Sequence, residues 1–422
     1  MKERYGLIGL PVGHSHSARI HERLGGYEYG LWPLEADALA SFLDARDFDG
    51  INVTMPYKSA VIEHLDVVDQ LAARLGAVNT IVRRGDSLFG FNTDVDGFRA
   101  LLQSVAPTVR EQKVLILGTG ATSRTARLVL EEAGAHPIWN VSREPGDEAS
   151  VITYDETSAH RDAQWIVNTT PVGMGEHFDE APIDLQAFPA LRGVIDVIYN
   201  PLATPLLQQA RALRIPHANG LRMLVFQAAK AMEHFTGERI DVSEAENTLC
   251  ALTEETENVV LIGMPGVGKS TVGRLLGRSL GRRFVDLDAE IVKETGHSIP
   301  ELFAQGGEAV FRDAETRALQ KVARESGIVL STGGGAVLRE ANRRLLRANG
   351  RLYFLDRPLE TLEPSEDRPL APSREKLAAL YAERLPLYRD AADVIVSGYR
   401  EAMEAVGIIR RDRKRRQRKD RS

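Results

Sequence analysis

From residue 113 to 219, short apolar runs alternate with amphipathic stretches. KVLILG, HPIWNVS, WIVNTTP, GVIDVIY and IPHAN read as buried strands, with ATSRTARLVLEEAG as a helix between the first two. That alternation predicts parallel βαβ units. It restarts at Val259, where VVLIGM, FVDLD, GIVLSTG, RLYFLD and DVIVS are the strand-like runs. Residues 1–98 differ: their apolar segments are short and broken by polar motifs, GLPVGHSHSARIH, GINVTMPYK, GAVNTI and GFNTD. LRMLVFQAAKAMEHFTG reads as one helix stopped by Gly237, and 241–257 as an amphipathic helix running into an acidic stretch that predicts a linker. The expected fold class is α/β, with two separate sheet-bearing modules in series.

Composition narrows the class. A chain of 422 residues with 43% hydrophobic and 27% charged positions is expected to form two or three soluble domains. No run of 18 apolar residues and no apolar stretch of signal-peptide length is present, and Cys250 is alone, so a cytoplasmic protein without disulfides is expected. The net charge of −6 is uneven: the last 13 residues, RRDRKRRQRKDRS, hold nine Lys/Arg against two Asp, leaving −13 on the rest. Having no apolar residues, that end reads as a solvated, disordered tail over 409–422, and the acidic body argues against nucleic acid as a partner.

Four motifs in the rear module are candidates for chemistry. Gly263, Gly268, Lys269 and Ser270 satisfy G-x-x-x-x-G-K-[ST] between a strand and a helix. Backbone N–H groups from Gly263 through Gly266 and Val267 to Thr271 would cradle the phosphates of ATP, Lys269 would reach the outer phosphates, and Ser270 would ligate Mg²⁺. Asp286 and Asp288 flank a strand end, where they either hold Mg²⁺ through water and orient an acceptor hydroxyl or cap the next helix. Glu308, Arg312 and Glu315 share a helix face, and spacing alone does not separate a site from a salt-bridge ladder. Gly333, Gly334 and Gly335 follow a strand, where only backbone approaches a ligand closely.

In the front module, KVLILGTGATSRT places Gly118, Thr119, Gly120 and Ala121 at a strand–helix turn of dinucleotide-binding type. The next strand ends in Ser142–Arg143 rather than an acid, which suits a 2′-phosphate and favours NADP(H), although Glu144 is adjacent. Ser15 and Ser17, then Asn52, Thr54 and Lys58, then Asn92 and Asp94, are the polar groups left to hold a substrate. A Lys beside an Asp can deliver a proton to a ketone oxygen during reduction. His14 and His16 are given no chemistry.

The rear motifs in order, P-loop, D-x-D, F-R-x-x-E, G-G-G, R-P-L and R-x-P-L-Y, resemble the shikimate kinase family. The front motifs resemble shikimate 5-dehydrogenase: H-S-x-S, N-V-T-x-P-x-K, G-A-V-N-T, N-T-D, G-x-G-x-x-S-R, N-x-T-P-x-G-M and G-L-x-M-L-x-x-Q-A. The resemblances imply a Rossmann-like NADP domain at 99–223 and a substrate-binding subdomain at 1–98 plus 224–252. A linker at 253–258, a P-loop kinase domain at 259–408 and the tail follow. They imply that Lys58 and Asp94 are the catalytic pair in front, with Ser15, Ser17, Thr54, Asn79, Asn92, Tyr199 and Gln227 around the substrate. Asn168, Thr169, Met174, Gly220 and Met223 would lie along the nicotinamide. Behind, Asp288, Arg312, Gly334, Gly335 and Arg384 would bind shikimate, and Lys269, Asp288 and Arg368, the last from a lid, would serve phosphoryl transfer.

Two departures stand out: Ala18 where Pro is common, and Arg222 where a small residue is usual. The implied activities are reduction of 3-dehydroshikimate and phosphorylation of its product, with small molecules as partners and no membrane. A catabolic NAD-dependent quinate/shikimate dehydrogenase joined to a sugar-acid kinase, and a non-enzymatic shikimate sensor, remain alternatives.

Overall fold

A computed structural model describes residues 4–13, 16–106, 108–144, 146, 150–363 and 373–420, the side chains of 417–420 excepted. Contacts divide the chain into a front unit, 1–199 with 209–249, and a rear unit, 200–208 with 250–422.

The front unit holds two sheets. The first runs in the order Tyr29–Pro33, Tyr5–Gly9, Gly50–Val53, Thr80–Arg84, Ser87–Phe91, Val67–Val68. Its middle is antiparallel, where Gly50–Val53 pairs with Thr80–Arg84 and that strand with Ser87–Phe91. Ile8, Leu43, Ile51, Val61, Ile81 and Leu88 fill the core on one face. The second sheet is wholly parallel: His217–Ala218, Gly193–Asp196, Trp165–Asn168, Val114–Leu117, Ile138–Ser142, Val151–Thr153. Strand order reverses between Val114–Leu117 and Trp165–Asn168, so a crevice opens at their carboxyl ends, where such sheets bind ligands.

Two packed helices, Asp94–Val105 and Leu221–Thr236, serve both sheets. They touch closely enough that a Cβ on Gly97 would lie 2.5 Å from the Met223 carbonyl oxygen. The expected subdomain boundaries, 98/99 and 223/224, therefore fall inside shared helices rather than in loops.

The rear unit is a parallel sheet in the order Phe284–Asp286, Val329–Ser331, Asn258–Ile262, Gly350–Leu355, Val394–Val396. Asn258–Ile262 is buried throughout, as its continuous apolar run requires, and it delivers the phosphate-loop sequence to the sheet's carboxyl edge.

Two expectations are corrected here. No free linker separates the modules, because the helix Val242–Thr256 is followed at Asn258 by the first rear strand. Nor is 409–422 a solvated coil: the helix Ala402–Asp420 runs through most of it. Its inward side meets the acidic stretch. Arg413, 4% exposed, donates to the Glu254 carbonyl oxygen at 3.0 Å, and Arg416 reaches both Glu257 carboxylate oxygens at 2.8 Å. Asp412 accepts from Arg351 Nε and Tyr353 Oη, both at 2.9 Å. Read separately, the acidic stretch and the basic tail are solvated charge runs. Folded, each supplies the other's counter-ions.

Arg413→Ala leaves Glu254 and Glu257 short of a partner and should destabilise the rear unit by about 2–3 kcal/mol. Trp32, Trp139 and Trp165 all lie in the front unit. In urea, the far-UV circular dichroism transition should move to lower denaturant while the tryptophan fluorescence transition stays in place.

Candidate active sites

The front site forms where the antiparallel strands end. Gly50–Val53 leads to Thr54, and a turn closed by Tyr57 N–H on the Thr54 carbonyl, at 3.0 Å, carries the chain to Lys58. Ser87–Phe91 leads through Asn92 and Thr93 into the helix Asp94–Val105, placing Asp94 in its first turn. Lys58 Nζ donates to Asp94 Oδ2 at 2.6 Å, and Asn79 Nδ2 donates to Asp94 Oδ1 at 2.9 Å. The Lys58 and Asp94 side chains are 19% and 10% exposed, largely desolvated yet reachable. Gln227 lies beside them, its Oε1 at 3.5 Å from Asn79 Nδ2.

Other expected substrate groups are placed unevenly. Ser17 is buried at the start of its helix, and Tyr199 has its ring 5.8 Å from that of His16. Burial raises the Tyr199 phenol above its ordinary value. Asn92 is 4% exposed and spent on the chain itself, donating to the Ala77 carbonyl at 2.8 Å and accepting from Asp94 N–H at 3.1 Å. It shapes the turn that presents Asp94. Ser15 lies outside the described residues.

At the nucleotide crevice, Gly118 has φ 109°, and a Cβ there would lie 2.8 Å from Thr169 Oγ1. Ser123 Oγ and Asn140 Nδ2 donate to its carbonyl at 2.8 and 2.7 Å, fixing the turn. Gly120 caps the helix Ala121–Glu132 with no side-chain bond, and no heavy atom lies within 4 Å of where its Cβ would be. The first N–H groups of that helix are thus not taken up by a capping side chain, as anion binding at a helix start requires. Arg124 Nε donates to the Leu75 carbonyl at 2.9 Å, tying this helix to the substrate lobe. Thr119 and Arg143 are exposed and Ser142 half-buried at the crevice edge.

Asn168 is fully buried, and its amide is consumed by Asp196, Val172 and Thr170. It holds the 169–172 turn. Gly220 admits no side chain, since a Cβ would sit 1.9 Å from the Val197 carbonyl oxygen, while Met223 is buried and Met174 exposed. Arg222 makes a two-pronged ion pair with Glu246 at 2.5 and 2.9 Å and lies over the Phe226 ring, so its departure from a small residue has a structural partner.

The rear site is a cavity of about 500 Å³ lined by the phosphate loop, Asp288, Arg312, Arg384 and the glycine tract. Gly263, Gly266 and Gly268 have φ of 145°, 81° and 95°, conformations that turn successive N–H groups inward. Tyr399 Oη bonds to the Val267 carbonyl at 3.3 Å, Thr271 lines the mouth, and Lys269 Nζ folds onto the Gly263 and Met264 carbonyls at 2.8 and 3.0 Å. Ser270 Oγ donates to Asp286 Oδ2 at 2.6 Å, and Asp286 Oδ1 caps the next helix through Asp288 N–H at 3.2 Å. Asp286 is therefore both cap and neighbour of Ser270, and Asp288 alone of the two lines the cavity.

Arg312 pairs with Glu308 and Glu315, at 2.8 and 2.9 Å, so the ladder exists, and it also lines the cavity. A Cβ on Gly335 would lie 2.1 Å from Arg312 Nη2, which is why glycine stands there, and one on Gly334 would meet Pro265 at 2.6 Å. Arg384 is 3% exposed, with its Nε lacking a partner in the buried site. Arg368 lies outside the described residues. Phe303 and Phe311, stacked at 5.1 Å across the Gly306–Gly307 kink, also line the cavity. Sequence spacing gave no sign of them, because the kink creates the pairing.

Burial raises the Asp288 carboxyl above the ordinary range, helped by Asp286 and opposed by Lys269 and Arg312. Burial also raises Glu315, against Arg312. For Arg312 burial acts downward, but Glu315 and Glu308 hold the guanidinium above its usual value.

A doubly wound nucleotide crevice beside a Lys–Asp pair defines a nucleotide-dependent oxidoreductase. The phosphate loop opening on a pocket of arginines and a carboxylate defines a small-molecule phosphotransferase. Family models match both: the shikimate dehydrogenase substrate binding domain over 7–81 and shikimate kinase over 265–410. Over 267 residues the chain is 35% identical to a shikimate dehydrogenase (NADP⁺) of Exiguobacterium sibiricum, covering 60% of this chain and all of the relative. The chain belongs to the shikimate dehydrogenase family, and carries a shikimate kinase domain behind it.

Among solved structures, the Thermus thermophilus shikimate 5-dehydrogenase in complex with NADP(H) and shikimate matches with TM-score 0.54 and 33% identity, over 58% of this chain and 98% of that one. The Corynebacterium glutamicum quinate dehydrogenase in complex with NAD matches with TM-score 0.53 and 28% identity, over 59% and 99%. Among the described residues no helix is long and apolar enough to cross a membrane.

The raised Asp288 has a consequence for stability. The folded carboxyl keeps its proton to higher pH than the unfolded one, so ionising it costs stability as pH rises from the ordinary carboxylate range through the raised value. Asp288→Asn should therefore stabilise the rear unit at pH 7, with the gain shrinking as pH falls into the ordinary carboxylate range. Urea unfolding followed by far-UV circular dichroism at several pH values measures it; a gain that does not vary with pH would contradict the account.

Proposed function

We propose that the front unit reduces 3-dehydroshikimate to shikimate with NADPH and that the rear unit phosphorylates shikimate with Mg·ATP to shikimate 3-phosphate. The observation that carries this is the rear cavity, where Asp288, Arg312 and Arg384 meet the phosphate loop. Two guanidinium groups suit a planar carboxylate and the aspartate suits hydroxyls, so the pocket fits a hydroxylated ring acid. The front family acts on that same kind of molecule, which gives one chain two consecutive steps.

In front, bound NADPH supplies the hydride. Lys58 holds the proton that goes to the ketone oxygen, and Asp94 orients Lys58 through their 2.6 Å contact. Ser15, Ser17, Thr54, Asn79, Tyr199 and Gln227 bind and orient the ring. The helix N-terminus at Gly120–Ala121 takes the pyrophosphate, Ser142 and Arg143 take the 2′-phosphate, and Thr169, Met174, Gly220 and Met223 border the nicotinamide.

Behind, the backbone of the phosphate loop and Lys269 hold the phosphates, and Ser270 with Asp286 would hold Mg²⁺, which neutralises phosphate charge when bound. Asp288 accepts the hydrogen bond of the attacked hydroxyl; Arg368, the further charge that the resemblance implies for the transferring group, lies outside the described residues. A second reading, NAD-dependent oxidation of quinate, draws on the likeness to quinate dehydrogenase. Ser142–Arg143 in place of a ribose-binding acid weighs against it.

The test is a coupled assay on the whole chain with dehydroshikimate, NADPH and Mg·ATP, following NADPH loss and shikimate 3-phosphate gain. Lys58→Ala should lower reduction by about 10²–10⁴-fold and leave phosphorylation of added shikimate intact. Lys269→Ala should do the reverse. NADH with quinate exceeding NADPH with shikimate would favour the second reading.

A further inference from the structure

Beneath the Lys58–Asp94 pair lies a run of buried polar groups, of which Asn79 alone is among the substrate contacts assigned above. Tyr29, Asn52, Asn79, Thr80 and Thr93 are each 6% exposed or less. They come from neighbouring strands, since Asn52 pairs with Thr80 across the antiparallel ladder and Tyr29 lies two strands away. The contacts are Tyr29 Oη to Asn52 Oδ1 at 2.7 Å, Asn52 Nδ2 to the Asn79 carbonyl at 3.2 Å and to Thr80 Oγ1 at 3.1 Å, and Thr80 Oγ1 to Asn79 Oδ1 at 3.1 Å.

Two main-chain groups fix the orientation of both amides. The Asn79 carbonyl only accepts, so the Asn52 atom beside it is the NH₂, Oδ1 faces Tyr29, and the phenol must donate. The Thr93 N–H only donates, so the Asn79 atom 2.7 Å away is the oxygen, and its NH₂ must face Asp94. Thr80 Oγ1 accepts from Asn52, which leaves its hydrogen for Asn79 Oδ1 or for Thr93 Oγ1 at 3.2 Å. His21, fully buried and stacked at 4.1 Å on Tyr29, closes the far end; burial drives its imidazole down to about 3, so it is neutral.

Resting on the front-site reading given above, we propose that Thr80, with Asn52 and Tyr29, is a positioning residue for reduction. The Thr93 N–H sets the orientation of the Asn79 amide, Thr80 Oγ1 braces the same amide oxygen, and the amide directs its NH₂ at Asp94 Oδ1 while Lys58 occupies Oδ2. Asp94 is thereby fixed from both sides, and the Lys58 ammonium is aimed at one place. Reversing the Asn79 amide would set an oxygen against a carboxylate oxygen and strand the Thr93 N–H, both costly in a buried site.

The test uses the whole chain. Thr80→Val is nearly isosteric, suits a strand and removes only the hydroxyl's bonds; Thr80→Ser keeps the hydroxyl. Thr80→Val should lower the kcat of dehydroshikimate reduction about tenfold at a temperature where both proteins are fully folded, with KM for NADPH unchanged, and Thr80→Ser should restore most of it. Equal kcat in wild type and Thr80→Val, an equal loss in both variants, or a loss that tracks the unfolding midpoint would overturn the proposal while leaving the activity assignment standing. A wild-type chain that does not reduce dehydroshikimate overturns both.

Discussion

The front unit depends on a carboxylate set at the first turn of a helix and opposed by an ammonium. Asp94 and Lys58 follow the carboxyl ends of Ser87–Phe91 and Gly50–Val53, two strands that flank Thr80–Arg84 and finish at the same edge of the sheet, and their 2.6 Å contact requires the strands, the turn at Thr54–Tyr57 and the helix Asp94–Val105 to be in register together. The same helix packs on Leu221–Thr236, which contributes Gln227 to the substrate side and Met223 to the crevice side. The Lys58–Asp94 pair and the nucleotide crevice are thus referred to one helix pair. Glycine at 97 permits the close approach and glycine at 220 the turn into the second helix.

The rear unit applies a different constraint. Its cavity buries two carboxyls and two guanidinium groups around a phosphate loop, and the raised Asp288 and Glu315 are the energetic mark of that burial. Glycines at 334 and 335 leave space that Pro265 and Arg312 occupy. Far from the cavity, the C-terminal helix is held by arginines paired with Glu254 and Glu257, so charge pairing also fixes an edge of the unit. Both groups draw on buried arginine and on glutamate; the first lines a cavity, and the second pairs helix to helix.

Much of this was legible in order along the chain. The strand–glycine–helix signals at Gly118 and Gly263 gave two α/β modules and their phosphate-facing turns, because a turn of that kind is local: a strand, a positive φ and a helix N-terminus lie within a dozen residues. The polar motifs named Lys58, Asp94 and Asn79 as a set. The roles of Asn92 and Asn168 were not legible. Both carry an amide at the expected place, yet their partners, Ala77 for one and Asp196 for the other, come from neighbouring strands and consume it. Arg222 likewise found Glu246 on another helix.

The amino-acid order by itself determined the fold class and the two nucleotide turns, since each rests on short-range periodicity or on a motif contained in one turn. Tertiary structure alone decided which polar groups face open space and which are spent inside. It also put the acidic stretch and the basic tail into two helices joined by ion pairs, and brought Phe303 to Phe311 across a kink. The physical reason is that hydrogen-bond satisfaction and ion pairing depend on partners distant in sequence, and a residue's type says what it can bond but not which neighbour will be there to bond it.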